Sequence, residues 1–276
     1  MHHRFRIGAM DAMVVSDGPL RLPAARKIFK GPAAAELESR QNEAGQATDA
    51  VRVEQNCLLL ETGGKRVLFD NGMGSEKLFG PDSGQLLGNL RRAGIDPAKI
   101  DAMVLTHAHS DHCWGTMGDD GLPSFPNATV YIAQAELDFW SAPARDRRLA
   151  DTVAGVARHL LPLRDRISFI RDGQEFLPGV QAWLTPGHTP GHMAFLFAGG
   201  WCLTGDVAFH DPLSYAFPDA ESAFDTDRAQ GVLTRRTLLA RLADEQLRVV
   251  GYHHPWPGLG RVERAGGIYR FVAEAS

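Results

Sequence analysis

Cysteine is scarce in this chain. Three occur among 276 residues, Cys57, Cys113 and Cys202, each inside or beside an apolar run. An odd, unpaired trio argues against a disulfide framework and fits a reducing compartment. Long hydrophobic runs are also missing, and none approaches the ~20 residues that a membrane helix needs. Met1-His2-His3-Arg4 leads straight into Phe5-Arg6-Ile7, without the apolar core or cleavage site of a signal peptide. Blocks of Lys and Arg are absent too. The 29 basic and 33 acidic residues give a formal net charge of −4, a poor match to nucleic acid. These absences predict a soluble cytoplasmic protein with neither membrane nor nucleic acid as partner.

What is present suits a globular body. Hydrophobic residues make up 44% and charged residues 22%, enough for a sizeable core and a single domain over residues 1–276. Residues 4–16 read as an opening strand or hairpin, closed by Asp17-Gly18-Pro19. Residues 20–50 carry Pro23, Pro32, a basic patch and a polar tract. They read as a long connection, either a lid or substrate loop or a surface excursion. Apolar runs at 56–60 and 67–70 flank Gly63-Gly64 as a hairpin. Leu86, Leu87 and Leu90 share a helical face over 84–93, and Gly94 stops it. Strands follow at 102–105 and 128–133, with helices at 134–140 and about 146–160. Further strands are expected near 167–170, 180–185, 193–198, 201–204 and 248–252. Asp225-Thr226-Asp227 offers an N-cap to a helix reaching about residue 244, and 261–273 looks like a last hairpin. Strands mixed with helices along the chain imply sheets covered by helices.

The chemistry gathers at strand ends. Ala102-Met103-Val104-Leu105 runs into Thr106-His107-Ala108-His109-Ser110-Asp111-His112. Three imidazoles and a carboxylate so close together make a poor core and suit a metal site. His107 and His109 could reach one ion, with Asp111 and His112 offset toward a second. The arrangement of apolar strand, Gly/Pro turn and metal-capable side chain recurs at Thr185-Pro186-Gly187-His188, at Thr204-Gly205-Asp206 and at Tyr252-His253-His254. Functional groups collect on such loops over a rigid scaffold. Cys113 reads as a small buried residue.

Taken jointly, His107-x-His109-x-Asp111-His112, His188, Asp206 and a late His resemble the metallo-β-lactamase fold superfamily, in the same order and over about residues 50–262. The resemblance implies a mixed α/β (α+β) fold, a four-layer αββα sandwich with metals at one edge between two sheets. It implies that His107, His109 and His188 bind one metal, that Asp111, His112 and His253 bind a second, and that Asp206 bridges both. His254 is the alternative to His253. A second His in the Pro-Gly-His-Thr-Pro-Gly-His run, His192, is expected to make a supporting hydrogen bond. His210 is expected to be structural, His159 to lie on a helix, and His2 and His3 to be solvated.

The cofactors implied are two divalent ions, zinc foremost, with manganese, iron or cobalt as alternatives. Paired ions of this kind lie ~3.5–4 Å apart and hold a water that deprotonates near neutral pH. The expected nucleophile is therefore a metal-bridging hydroxide, with Asp111 as the catalytic residue that orients the water or carries its proton. The tail His253-His254-Pro255-Trp256-Pro257-Gly258 and the segments Phe79-Gly80-Pro81 and Gly94-Ile95-Asp96-Pro97 resemble the methyl parathion hydrolase and lactonase-like branch. That implies cleavage of an aryl ester, lactone or organophosphate triester, a small apolar ester-type substrate, and a homodimer. In many lactonases of this group a Tyr three residues after the bridging Asp holds the substrate oxygen; Phe209 stands there instead. Trp114, Phe209, Tyr215, Phe217 and Trp256 are candidates for an aromatic pocket or for core packing. The competing readings are a glyoxalase II-like thioesterase and a non-catalytic metal-binding protein on the same scaffold.

Overall fold

The computed structural model describes residues 1–144 and 146–274. Seven strands form the first sheet in simple chain order: β1 (His2–Ile7), β2 (Met10–Ser16), β3 (Asn56–Thr62), β4 (Lys65–Phe69), β5 (Ala102–Val104), β6 (Thr129–Ala133) and β7 (Ile167–Ile170). Pairing is antiparallel from β1 to β4 and parallel from β4 to β7. A second seven-stranded sheet follows, again in chain order: β8 (Glu175–Leu177), β9 (Val180–Leu184), β10 (Met193–Phe197), β11 (Trp201–Leu203), β12 (Arg248–Val250), β13 (Leu259–Ala265) and β14 (Ile268–Ala273). Only β11 and β12 run parallel in it.

Side-chain alternation explains the layers. In β2, Ala12 and Val14 face one way and Met13 and Val15 the other, and all four are buried. A strand apolar on both faces belongs to a sheet covered on both faces. Val14, Leu58, Leu60, Val67 and Phe69 meet Val180, Ala182, Phe195, Phe197 and Leu203 between the sheets. Met13, Val15, Leu59, Leu68 and Met103 pack outward against α2 (Leu86–Arg92), α3 (Gln134–Ser141) and α4 (Ala150–His159). On the far side, Cys202, Val249 and Val262 pack against Leu238, Leu239 and Leu242 of α5 (Arg228–Asp244). Helix, sheet, sheet and helix make the expected αββα sandwich. All three cysteines are free and buried. Among the described residues, no helix is long and apolar enough to cross a membrane.

Residues 20–50 turn out to be tied down at several points. Leu20–Leu22 pairs with Val51–Val53, and Phe29–Lys30 pairs with Glu221–Ser222. Helix α1 (Ala34–Glu43) buries Leu37 in a separate apolar cluster with Ile28, Phe29, Val51, Val53 and Phe209. The loops after β5, β9, β11 and β12 emerge at one shared edge of the sandwich. A hydrogen bond from the Met193 amide to the Thr106 carbonyl, 2.9 Å, ties the two sheets together there.

Candidate metal centre

Each metal-capable side chain hangs from the end of a strand. Thr106 and His107 follow β5, and a single helical turn, Ser110–Cys113, carries Asp111 and His112. His188 lies in the β9–β10 loop, Asp206 just beyond β11, and His253 just beyond β12. Four separate loops thus deliver seven side chains to one point. His107 Nε2 lies 3.0 Å from His109 Nδ1, which lies 2.9 Å from His188 Nε2. Tetrahedral ligands at ~2.0–2.1 Å from one ion would be ~3.3 Å apart, so these three nitrogens converge as a ligand set does. Asp111, His112 and His253 form a second group. There His253 Nε2 is 3.2 Å and His112 Nε2 3.5 Å from Asp111 Oδ2.

Asp206 joins the groups. Its Oδ1 is 3.2 Å from His112 Nε2, while Oδ2 is 3.3 Å from His253 Nε2 and 3.5 Å from His188 Nε2. His112 Nε2 and Asp206 Oδ1 are both fully buried, and beyond their 3.2 Å contact with each other neither completes a well-aligned hydrogen bond. A buried polar atom left unpaired is costly. These two are aimed into the space shared by all the donors, which is what a bound cation would satisfy. The donor set fits two divalent metal ions.

The far side of the rings is also organised. His112 Nδ1–H donates to Asp70 at 2.8 Å, and His188 Nδ1–H donates to Asp225 at 3.0 Å. His253 Nδ1–H donates to the Glu54 carbonyl at 2.7 Å. His107 Nδ1 meets the Thr106 hydroxyl, which in turn donates to Asp70. Asp70 sits at φ 56°, a left-handed conformation uncommon for a residue other than glycine. His192 accepts the Asp206 amide proton through Nε2 at 3.0 Å. His254 turns away from the cluster to Tyr215 Oη at 2.6 Å, so His253 is the one directed inward. His210 lies apart, its Nδ1 facing the Leu213 amide.

Charge divides the cluster. Burial, then the neighbouring His188, pushes His109 down to about 3. Burial, then His112 and His109, holds His107 well below its usual value. Both rings are neutral nitrogen donors. Burial also opposes charge on His253, yet Asp206 and Asp111 outweigh it and lift its pKa to about 10. His112 is raised in the same way, burial losing to Asp206, Asp111 and Asp70. Burial disfavours the Asp206 carboxylate, but His253 and His112 hold it well below the usual range. The second group is thus an anionic nest that stabilises positive charge.

A family model described as metallo-beta-lactamase superfamily matches residues 50–264. The chain belongs to the metallo-beta-lactamase superfamily. Among curated members, an N-acyl homoserine lactonase of Bacillus cereus is 30% identical over 196 residues, which span 62% of this chain and 72% of that protein. Among solved structures, the dizinc quorum-quenching lactonase AidC, in complex with a product, N-hexanoyl-L-homoserine, superimposes with a TM-score of 0.93 at 25% identity, covering 100% of this chain and 98% of the other. AbOPH, a hydrolase in the beta lactamase superfamily, gives 0.91 at 26% identity with the same coverage.

His109, Asp111, His188, Asp206 and His253 of the cluster line a cavity of about 650 Å³. Of the aromatics anticipated from sequence, Trp114 and Phe209 line it. The other three do not. Tyr215 packs under α5, Phe217 backs the cluster around α1, and Trp256 packs on the inter-sheet core. Phe79, Phe139, Trp140 and Phe224 line the cavity instead. Three supporting residues also escaped sequence reasoning. Asp70 had the right signal, an acid directly after an apolar strand. Asp225 resembled a helix cap, and Glu136 an ordinary helix residue. Within the expected Asp225-Thr226-Asp227 run the cap is Asp227, whose side chain accepts the Gln230 amide.

Proposed function

We propose that the protein is a dinuclear metal-dependent hydrolase that opens the ester bond of an acylated lactone. The observation that carries this reading is the shared carboxylate Asp206, which joins two donor groups beside an aromatic-lined cavity. His107, His109 and His188 would hold one metal ion and Asp111, His112 and His253 the other, with Asp206 between them. When bound, such a pair of ions, most simply zinc, activates water and polarises the scissile carbonyl. Asp111 lines the cavity and would orient the attacking water and pass its proton to the leaving ring oxygen. No Ser or Cys nucleophile is required, and the three thiols are buried.

The substrate class follows from the walls. Leu20, Leu22, Phe79, Phe209 and Phe224 line the cavity and would hold an apolar acyl tail. Phe209 has no hydroxyl, so it shapes the pocket without gripping the substrate oxygen. Residues 20–50 act here as a fixed substrate wall, and the whole chain works as one domain. Related acyl lactone and aryl ester or phosphotriester substrates would enter the same cavity, with lactones favoured by the lactonases among the relatives. The buried free thiols suit the cytoplasm, and a homodimer is the assembly we infer from the methyl parathion hydrolase resemblance.

A kinetic panel of acyl lactones, an aryl ester, an aryl phosphotriester and a thioester on zinc-loaded protein tests the reading. Lactone turnover should vanish on chelation and return with zinc. Activity surviving complete demetallation would overturn the metal mechanism. Preference for the thioester would favour the glyoxalase II-like alternative, and two bound metals without turnover of any ester would favour a binding protein.

A further inference from the structure

We propose that Glu136 is a positioning residue that clamps the His107–His109 loop and the His188 loop together, and so sets the three-histidine metal site. The inference rests on the two-metal reading above. Glu136 lies in the first turn of α3 with no exposed surface. Its Oε1 accepts the Ala108 amide at 2.9 Å and the Trp140 indole N–H at 2.7 Å. Its Oε2 accepts the Gly191 amide at 3.0 Å. Ala108 lies between His107 and His109, and Gly191 lies three residues beyond His188. One carboxylate therefore bridges the two loops that supply all three nitrogens of that site.

The cost of this arrangement points to its use. A buried carboxylate with no cationic partner is expensive, and among the described residues no Lys or Arg pairs with Glu136. Apolar packing could fill the same space, but it could not fix two backbone amides at one point. The Gly191 loop presses directly on the helix, since a Cβ there would meet the Glu136 backbone nitrogen at 2.3 Å. The other metal group is held by different partners. Asp70 supports His112, the Glu54 carbonyl supports His253, and the Tyr252 hydroxyl donates to the Asp111 carbonyl at 2.6 Å. Loss of Glu136 should loosen one site and spare the other.

Glu136→Gln tests this, because the amide places an N–H donor against one of the loop donors. Chelator-stripped protein is titrated with zinc against a chromophoric competitor, with circular dichroism to show that the metal-free variant is folded. Wild type should bind two zinc ions. In E136Q one affinity should fall by about 10–100-fold, the usual effect of losing a support behind metal ligands, while the other is unchanged. In a His253→Ala background, where the three-histidine site is the intact one, E136Q should lower the remaining affinity by the same factor. Gly191→Ala, which pushes the loop off the helix without touching the carboxylate, should give the same one-site loss and serves where E136Q does not fold. Equal loss at both sites, or no loss at either, in the folded variants would overturn the proposal. Wild type binding fewer than two zinc ions would overturn the two-metal reading instead.

Discussion

An imidazole offers a lone pair inward when its outer nitrogen carries the proton, and here the outer partners set that choice. Asp70, Asp225 and the Glu54 carbonyl accept from Nδ1 of His112, His188 and His253, so each ring keeps a proton on its outer nitrogen and directs Nε2 inward. A metal ion there would replace the proton that the carboxylates hold on His112 and His253. Arg235, itself buried, holds Asp225 from behind at 3.4 Å. The clustered side chains were legible in sequence because His and Asp at strand ends stand out; their supports were not, because a buried Asp writes the same letter as a capping one. Asp17 shows this again, for it read as part of a turn. Its carboxylate accepts the Met73, Gly84 and Leu86 amides in the interior. Burial is the largest influence and lifts its pKa from 3.8 to about 6 against those three donors and Lys77. The folded chain therefore holds the Asp17 proton where the unfolded chain has released it. The stability linked to that proton is fully present below 3.8 and lost as pH rises through about 6. Relative to Asp17→Asn, wild type should gain about 1 kcal/mol between about pH 7 and about pH 5, measured from urea midpoints. Parallel pH profiles for the two proteins would show that Asp17 does not carry this linkage.

The strands that sequence revealed include β3 to β6 and β10 to β12, marked by buried apolar runs, together with the hairpins at 4–16 and 261–273 and strand β7. Ladders of two or three residues are too short for periodicity to register; β5 and β11 stood out only because all three of their residues are apolar, whereas Leu20–Leu22, Val51–Val53 and β8 each carry a charged residue and went unseen. The helix expected over about 146–160 forms as α4, and its start differs in detail. A 3-10 turn at Arg147–Leu149, capped by the Asp146 side chain, precedes α4. These short pieces decide whether the segment near the cavity moves. The Arg21 amide donates to the Phe79 carbonyl at 2.7 Å, and the Ala223 amide donates to the Ile28 carbonyl at 2.8 Å. Phe29 stacks on Phe209 with centroids 5.4 Å apart. A wall built this way should protect the Arg21, Leu22 and Ala223 amides from hydrogen exchange, whereas a mobile lid would leave them exchanging as a free peptide does. Phe29→Ala should cost about 3–5 kcal/mol of stability, as large buried truncations do. It should also raise KM for long-chain lactones more than it lowers kcat, since the cavity wall loses its backing and the His/Asp cluster does not.

At the scale of the whole molecule, the net charge of −4 continues into the mouth of the cavity. Asp151 and Asp227 line it, and among the described residues Arg148 is the only Lys or Arg that does. Arg148 is neutralised by Asp146, with the charged groups 2.7 Å apart. A β-lactam or a glutathione thioester brings a carboxylate that would meet no free Lys or Arg among the described residues of this rim. A neutral acyl lactone meets no such penalty, and hydrolysis converts it into an acid that the rim repels toward solvent. A lactone whose acyl tail ends in a carboxylate should therefore show kcat/KM about ten-fold below its methyl-ended analogue, equivalent to ~1.4 kcal/mol. Because the rim is exposed to ions, added salt should narrow the gap by lifting the anionic substrate alone. Asp151→Asn should narrow it as well, with little change for the neutral lactone. Equal kcat/KM for the two lactones at low salt would mean that the acidic rim does not select, and would return anionic esters to the substrate range.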